Sequence, residues 1–437
     1  MPKITIIGAG SVEFTKNVLS DVLAFSDLER VIVALHDIDE GRLTTAGAIA
    51  RYVNEATGGR ATIETHLDRR SALDGTDYAI NEIQVGGRDA FLIDFEIPSR
   101  YGVRQTIADT LGIGGISRGL RTLPVMIDIG NDMADVCPQG WLLNYTNPMA
   151  MVPWAVYEGS RFDRVVGLCH SVRDTHAFLA ETVGVPEREI SYQTSGFNHQ
   201  AFVTRFERDG EDLYPSLDAS IERDPEGLGR RVRVELYRQL GYFPTESSEH
   251  SSEYVSWFMR HDDMIERYRI PVDDYIGRTV ESLGEYHAIV RALEAGEDVD
   301  IEPTSELASE VIHSMETGVP RSIYANVKNT GLIPDLPDGC CVEVPCLVDR
   351  AGVQPTAVPA RPPQLTALNR TFLNVVELTV RAVIDGDRRQ VYRAAMLDPN
   401  VAATLTLGQI HDMVDDLIEA HGEMIPEAIR RGSTRRA

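Results

Sequence analysis

Apolar and polar positions recur along this chain with two different periods. Ile4-Thr5-Ile6-Ile7 is a short β-branched run that stops at Gly8-Ala9-Gly10-Ser11, and Val12, Phe14, Val18, Leu19 and Val22 then follow at helical spacing. A second apolar run, Val31-Ile32-Val33-Ala34-Leu35, ends at His36-Asp37. Strand, glycine turn, helix, strand and acid make a βαβ unit of the dinucleotide-binding type. Runs at Tyr78-Ala79-Ile80, Trp141-Leu142-Leu143 and Val165-Val166-Gly167-Leu168 predict further buried strands of a parallel sheet. From about residue 200 the texture changes to long charged stretches of helical character, Asp224 to Leu240 and Thr279 to Gly296. Seven prolines from Pro334 to Pro363 mark loop or edge strand, after which Leu365 to Asp385 and Leu407 to Ala420 are again helical. Arg430, Arg431, Arg435 and Arg436 form a short basic tail expected to fray. The pattern predicts an α/β protein. A Rossmann-like parallel sheet occupies 1–195, and a second, mainly helical α+β domain for substrate, metal and oligomer contacts occupies 196–437.

Composition narrows the partners. The 437 residues carry 42 Lys and Arg against 67 Asp and Glu, a net charge of −25. Such a surface repels phosphate backbones and anionic lipid, so neither nucleic acid nor membrane is an expected partner. No apolar run approaches the ~18 residues of a membrane span. Met1-Pro2-Lys3-Ile4-Thr5 lacks the design of a secretion signal. A cytoplasmic protein with its five cysteines reduced is expected.

Six groups of residues have candidate chemistry. Gly8-Ala9-Gly10 permits a tight turn and close approach of a pyrophosphate to a helix N-terminus, although Glu13 stands where a third fingerprint glycine would be. Asp37 falls where an acid accepts hydrogen bonds from a ribose, which favours NAD, or where it caps a helix. Cys169-His170 at a strand end, with Asn198-His199 beyond, offers ligands for a divalent transition metal, or a buried thiol and core histidines. Asn144-Tyr145-Thr146-Asn147-Pro148 suits sugar hydroxyls, or is simply a turn. Asp109 lies in the glycine-rich loop that runs to Gly115. Glu249, His250, Glu253 and Tyr254 read most simply as a charged, solvated helix face.

Together these residues resemble glycoside hydrolase family 4, over nearly the whole chain, and within it the NAD- and Mn-dependent α-galactosidases. Gly8-Ala9-Gly10-Ser11 matches the family's nucleotide turn, Asn144-Tyr145-Thr146-Asn147-Pro148 its sugar-contact motif, and Cys169-His170-Ser171-Val172 and Gly196-Phe197-Asn198-His199 the α-galactosidase branch. The resemblance implies that Gly8, Gly10, Ser11 and Asp37 bind NAD, that Cys169 and His199 hold Mn²⁺, and that Asn147 contacts the sugar. His170 stands where the phospho-glucosidase branch has an acidic aspartate, and Tyr254, with Glu253 as rival, where the family has its base. The implied activity is hydrolysis of α-galactosides by oxidation at C3, elimination and water addition, without the usual pair of carboxylates. A homo-oligomer acting on a small-molecule sugar is expected. The alternatives are an α-glucosidase or α-galacturonidase of the same family, or a lactate- or malate-type NAD dehydrogenase.

Overall fold

The computed structural model describes residues 1–28 and 30–432. Its first six strands are β1 (Lys3–Ile7), β2 (Val31–His36), β3 (Ala61–His66), β4 (Tyr78–Asn81), β5 (Trp141–Asn144) and β6 (Val165–Gly167). They are parallel, in the order β3-β2-β1-β4-β5-β6, which is the doubly wound dinucleotide-binding order. The inner strands are largely apolar runs, whereas β3 at the sheet edge (Ala61-Thr62-Ile63-Glu64-Thr65-His66) is only partly buried. Ile4, Ile6, Val33, Ile80, Leu142 and Leu143 are all fully buried, each contributing about 1.5–3 kcal/mol.

A second, antiparallel sheet is built from β7 (Ser191–Ser195), β8 (Phe202–Arg208), β9 (Glu211–Asp212) and β10 (Phe243–Pro244). It packs over its own small core of Leu179, Val203, Phe206, Leu217, Val234 and Phe243. The remaining strands, β11 (Arg321–Lys328), β12 (Cys341–Asp349) and β13 (Gly352–Pro355), return to the first sheet. They extend it past β6 to nine strands, with β11 antiparallel to β6. The large sheet therefore takes strands from both halves of the chain.

Two local expectations are corrected. Pro345 lies in β12, between β11 and β13, where a loop or an edge was expected. Its carbonyl accepts the Thr356 N–H at 2.8 Å, just past the last β12–β13 pair, Cys346 and Pro355, so the N–H that proline lacks falls at the end of that ladder. The stretch from Asp224 becomes α-helical only at Val232–Leu240, after a single 3-10 turn at Leu228–Arg230. The Asp224 carboxylate instead accepts the N–H groups of Gly227 and Leu228, both at 2.9 Å, and holds a turn. Arg435 and Arg436 of the basic tail lie outside the described residues. No helix among the described residues is long and apolar enough to cross a membrane, and the five cysteines are free.

One buried ion pair sets the position of the long helix Gly112–Val136. Arg121 and Asp94, both with fully buried side chains, meet at 2.6 Å, and His421 joins Asp94 at 2.9 Å. Leaving either charge alone would cost about 3–5 kcal/mol. The loop before that helix is thus held rigidly over the carboxyl ends of β4 and β5.

Candidate active site

At the nucleotide end the glycines are there for sterics. Gly8 has φ +91°, and a Cβ on Gly10 would stand 2.5 Å from Asp37 Oδ2. The Gly10 N–H donates to that oxygen at 2.8 Å, so Asp37 fastens the turn at the end of β2. The following helix is capped by Asp39, which accepts the Arg42 N–H at 2.8 Å, so Asp37 is not a helix cap. Ser11 stands at the N-terminus of helix Val12–Ala24 and makes no capping bond with its side chain. Its hydroxyl and that of Thr15 face the Glu82 carboxyl, which burial raises well above its usual range.

Cys169 follows β6, His199 lies in the turn from β7 to β8, and Glu246 follows β10. Their ligand atoms come together within 4.8 Å: Cys169 Sγ is 3.7 Å and Glu246 Oε2 3.1 Å from His199 Nε2. Thiol, imidazole and carboxylate suit a divalent transition ion. Burial holds the His199 imidazole neutral, with its pKa down to about 4, which leaves a lone pair for a metal. It also pushes the Cys169 thiol up to about 12, so the thiolate forms only when a cation takes the proton's place. Burial would raise Glu246, but His199 and His250 beside it bring its carboxyl below the ordinary value. His199 (φ +66°), Glu246 (φ +78°) and, nearby, Ala108 (φ +56°) all have left-handed backbone without being glycine. Each costs about 1–3 kcal/mol and persists only where the surroundings enforce it, as functional sites do.

Glu246 was not among the expected ligands. It lies in the run Thr245-Glu246-Ser247-Ser248-Glu249-His250, whose acids look like surface. In the fold that reading fails. Tyr254 is 1% exposed and Glu253 3%, because the segment packs beneath the 105–110 loop. The Glu253 carboxylate accepts the N–H groups of Thr106, Ile107 and Ala108 at 2.8, 3.2 and 3.1 Å. It is a fastener of that loop. Glu343 was missed too, although a lone acid in the apolar run of β12 is a sequence signal for a buried carboxyl. It lies between the amides of Asn198 and Asn326, at 3.5 and 3.3 Å, and burial pushes it up to about 7.

Tyr254 Oη is 2.9 Å from His199 Nδ1 and 2.7 Å from His250 Nδ1. Burial would lower His250, but Glu246 and Glu253 beside it push it up to about 9, so it is an imidazolium at neutral pH. Asp109 acquires clear partners. It accepts the Asn147 amide at 3.0 Å, Arg118 at 3.2 Å and the Thr110 hydroxyl at 2.7 Å. Burial would raise its carboxyl, but Arg118, His250 and His199 hold it below the ordinary range. An ionised Asp109 therefore orients the Asn147 side chain. His170, next to Cys169 in sequence, turns to another wall. Its Nε2 is 3.0 Å from Glu306 Oε2, its side chain is 38% exposed, and that bond raises its pKa.

The description "Family 4 glycosyl hydrolase" matches residues 3–185, and "Family 4 glycosyl hydrolase C-terminal domain" matches 194–401. The chain is 41% identical over 431 residues to an alpha-galactosidase of Bacillus subtilis (strain 168), covering 98% of this chain and 100% of that one. It is 34% identical over 439 residues to an alpha-galactosidase of Rhizobium meliloti (strain 1021), covering 97% and 89%. A 6-phospho-alpha-glucosidase from gut microorganisms, solved in complex with NAD and Mn²⁺, superposes with a TM-score of 0.82 at 21% identity over 98% of this chain and 99% of that one. The chain is thus a member of glycoside hydrolase family 4.

Proposed function

We propose that this enzyme hydrolyses α-galactosides, with NAD at the Gly8–Ser11 turn and Mn²⁺ at Cys169, His199 and Glu246. The observation that carries this reading is the convergence of a three-donor metal cluster and the Asn147 motif at the carboxyl ends of one dinucleotide-binding sheet. The full-length match to a relative called an alpha-galactosidase supports the choice of sugar. On this reading 1–195 supplies the nucleotide turn, Asn147, Cys169 and His170, and 196–437 supplies His199, Glu246 and Tyr254.

The residues fit both groups. Gly10 has no room for a side chain, and the first free N–H groups of helix Val12–Ala24 point at the turn. Bound there, NAD supplies a reversible hydride acceptor for C3 of the sugar, and Mn²⁺ a Lewis acid for its neighbouring oxygens. The chain's own groups do the rest. Asn147, held by Asp109, places a sugar hydroxyl. With His199 presenting Nε2 to the metal, its ring proton is on Nδ1 and donates to Tyr254 Oη, while His250 Nδ1 donates from the other side. Burial first, and the carboxylates of Glu253, Asp109 and Glu246 next, raise the Tyr254 phenol well above its ordinary value. Two N–H donors on its oxygen oppose that by favouring loss of the proton, which fits Tyr254 to take the proton from C2. His170, held through Nε2 by Glu306, has Nδ1 left to protonate the departing oxygen.

Hydrolysis of an aryl α-galactoside should need NAD⁺, Mn²⁺ and a thiol reductant together, with no accumulation of NADH. NADH accumulating with a hydroxy acid, without glycoside cleavage, would replace this reading by a dehydrogenase. The raised pKa of His170 keeps its acid form below that value and loses it above, so kcat on a disaccharide should fall as pH rises through it. His170→Gln should cost about 100-fold on a disaccharide and flatten the alkaline limb, with far less effect on a nitrophenyl galactoside, whose leaving group needs no proton. An unaltered alkaline limb in the variant would remove His170 from the acid role.

A further inference from the structure

Beside Glu246 the site opens into a cleft of about 510 Å³, within the ~300–1,000 Å³ in which small ligands are held. Ser171 and Thr175 form one wall, residues 246–249 a second, and Arg231 and Arg233, at the start of helix Val232–Leu240, a third. The cleft shares Glu246 with the metal-ligand set. It adjoins Cys169, whose Sγ is 3.4 Å from Ser171 Oγ. Gly8, Asp37, Asp109 and Asn147 do not line it. It is therefore a space separate from the nucleotide turn and from the sugar-orienting amide.

Its charge is unusual for this chain. Arg233 is only 9% exposed. The guanidinium lies 3.9 Å from the centre of the Phe178 ring and donates to the Glu246 backbone carbonyl at 3.3 Å. Arg231 lies over the same ring at 5.1 Å. Among the described residues neither guanidinium has a carboxylate in ion-pair contact, whereas Arg230 and Arg269 at the rim share Glu226 at 2.9 and 3.3 Å. Of the carboxylates in the cleft, Glu246 is held by His199, and burial lifts Asp174 above its usual range. Glu249 completes the set, so with Glu226 at the rim four guanidiniums face four carboxyls, in a protein whose net charge is −25. Glu246, Glu249 and Asp174 act on Arg233 without ion-pair contact, and a guanidinium this buried beside an open cleft has room for an oxyanion as its direct partner.

We propose that this cleft receives the leaving group of the glycoside, and that Arg231 and Arg233 select a leaving sugar that carries an anionic group. The proposal rests on the α-galactoside reading. A bidentate guanidinium contact matches a carboxylate in geometry as well as charge. Ser171 and Thr175 add hydroxyls for the sugar's own.

The test compares an α-1,6-galactosyl-glucose disaccharide with the aldonic acid made by oxidising its reducing end, using the enzyme loaded with NAD⁺ and Mn²⁺. The bond cleaved is the same and only a remote carboxylate differs. Wild type should show kcat/KM at least about tenfold higher for the acid, the factor given by about 1.4 kcal/mol. Arg233→Gln and the surface variant Arg231→Gln should each shrink that ratio, mainly through KM. A ratio of one or less in wild type, or a ratio that both substitutions leave alone, would overturn the proposal. A preference for a galacturonide that depends on Arg233 would also overturn it, by assigning the arginines to C6 of the cleaved sugar. Calorimetric binding of gluconate, weakened in both variants, reads the subsite without turnover. Failure to cleave even an aryl α-galactoside would count against the α-galactosidase reading, whereas wild type that does not bind gluconate counts against the subsite.

Discussion

Replacing Cys169 with serine should lower kcat for α-galactoside hydrolysis by about a thousandfold or more, the scale of a lost Lewis acid contributing several kcal/mol. The reason is the donor set. Glu246 and His199 stay within 3.1 Å of each other without the thiol, but an alcohol cannot supply the soft, anionic donor that a thiolate does. Metal analysis of the purified protein should find about one transition ion per chain in wild type and much less in Cys169→Ser. Chelation of wild type should abolish activity, and added Mn²⁺ should restore it. A serine variant that keeps both metal and activity would remove Cys169 from the cluster. The left-handed backbone at His199 and Glu246 adds a thermodynamic readout. Metal that binds only the folded site should raise Tm in wild type, and this rise should be missing in the variant.

Tyr254→Phe should lower kcat by about 10²–10⁴-fold, the usual contribution of a positioned base, with KM nearly unchanged. The hydroxyl has two partners, at 2.9 and 2.7 Å, so its removal also leaves two buried ring nitrogens unpaired and costs about 1–3 kcal/mol of stability. Loss of a group behind a ligand typically weakens metal affinity by about 10–100-fold. The two roles are separable by assaying at saturating Mn²⁺. A base stays lost there, and exchange of the C2 proton with solvent deuterium is lost with it. If saturating metal restores kcat, Tyr254 only orients His199.

The antiparallel extension of the large sheet was not legible, because residues 321–355 can pair with β6 only after some 150 intervening residues have folded. Among the site residues, Cys169, His199, Asn147 and the glycine turn were readable because each sits at a strand end or in a motif of unusual residue types. Asp109 could be seen as a loop carboxylate, but its task depends on Asn147 lying 3.0 Å away. Glu246 and the segment from Glu249 to Tyr254 looked like surface. Charged residues in a short helix are solvated by default, and only packing under the 105–110 loop buries these.

What the sequence determined by itself is periodic or local: the alternation of strand and helix, and the glycine turn between the first strand and the first helix. These follow from sterics and hydrophobic burial within a few residues of one another. What the tertiary structure alone decided is the company each polar group keeps. Glu253 holds a loop, Glu246 joins the metal ligands, His170 faces Glu306, and Arg233 is left without a carboxylate. In a low-dielectric interior such partnerships set charge and proton position, and they join residues that the chain keeps up to 147 positions apart.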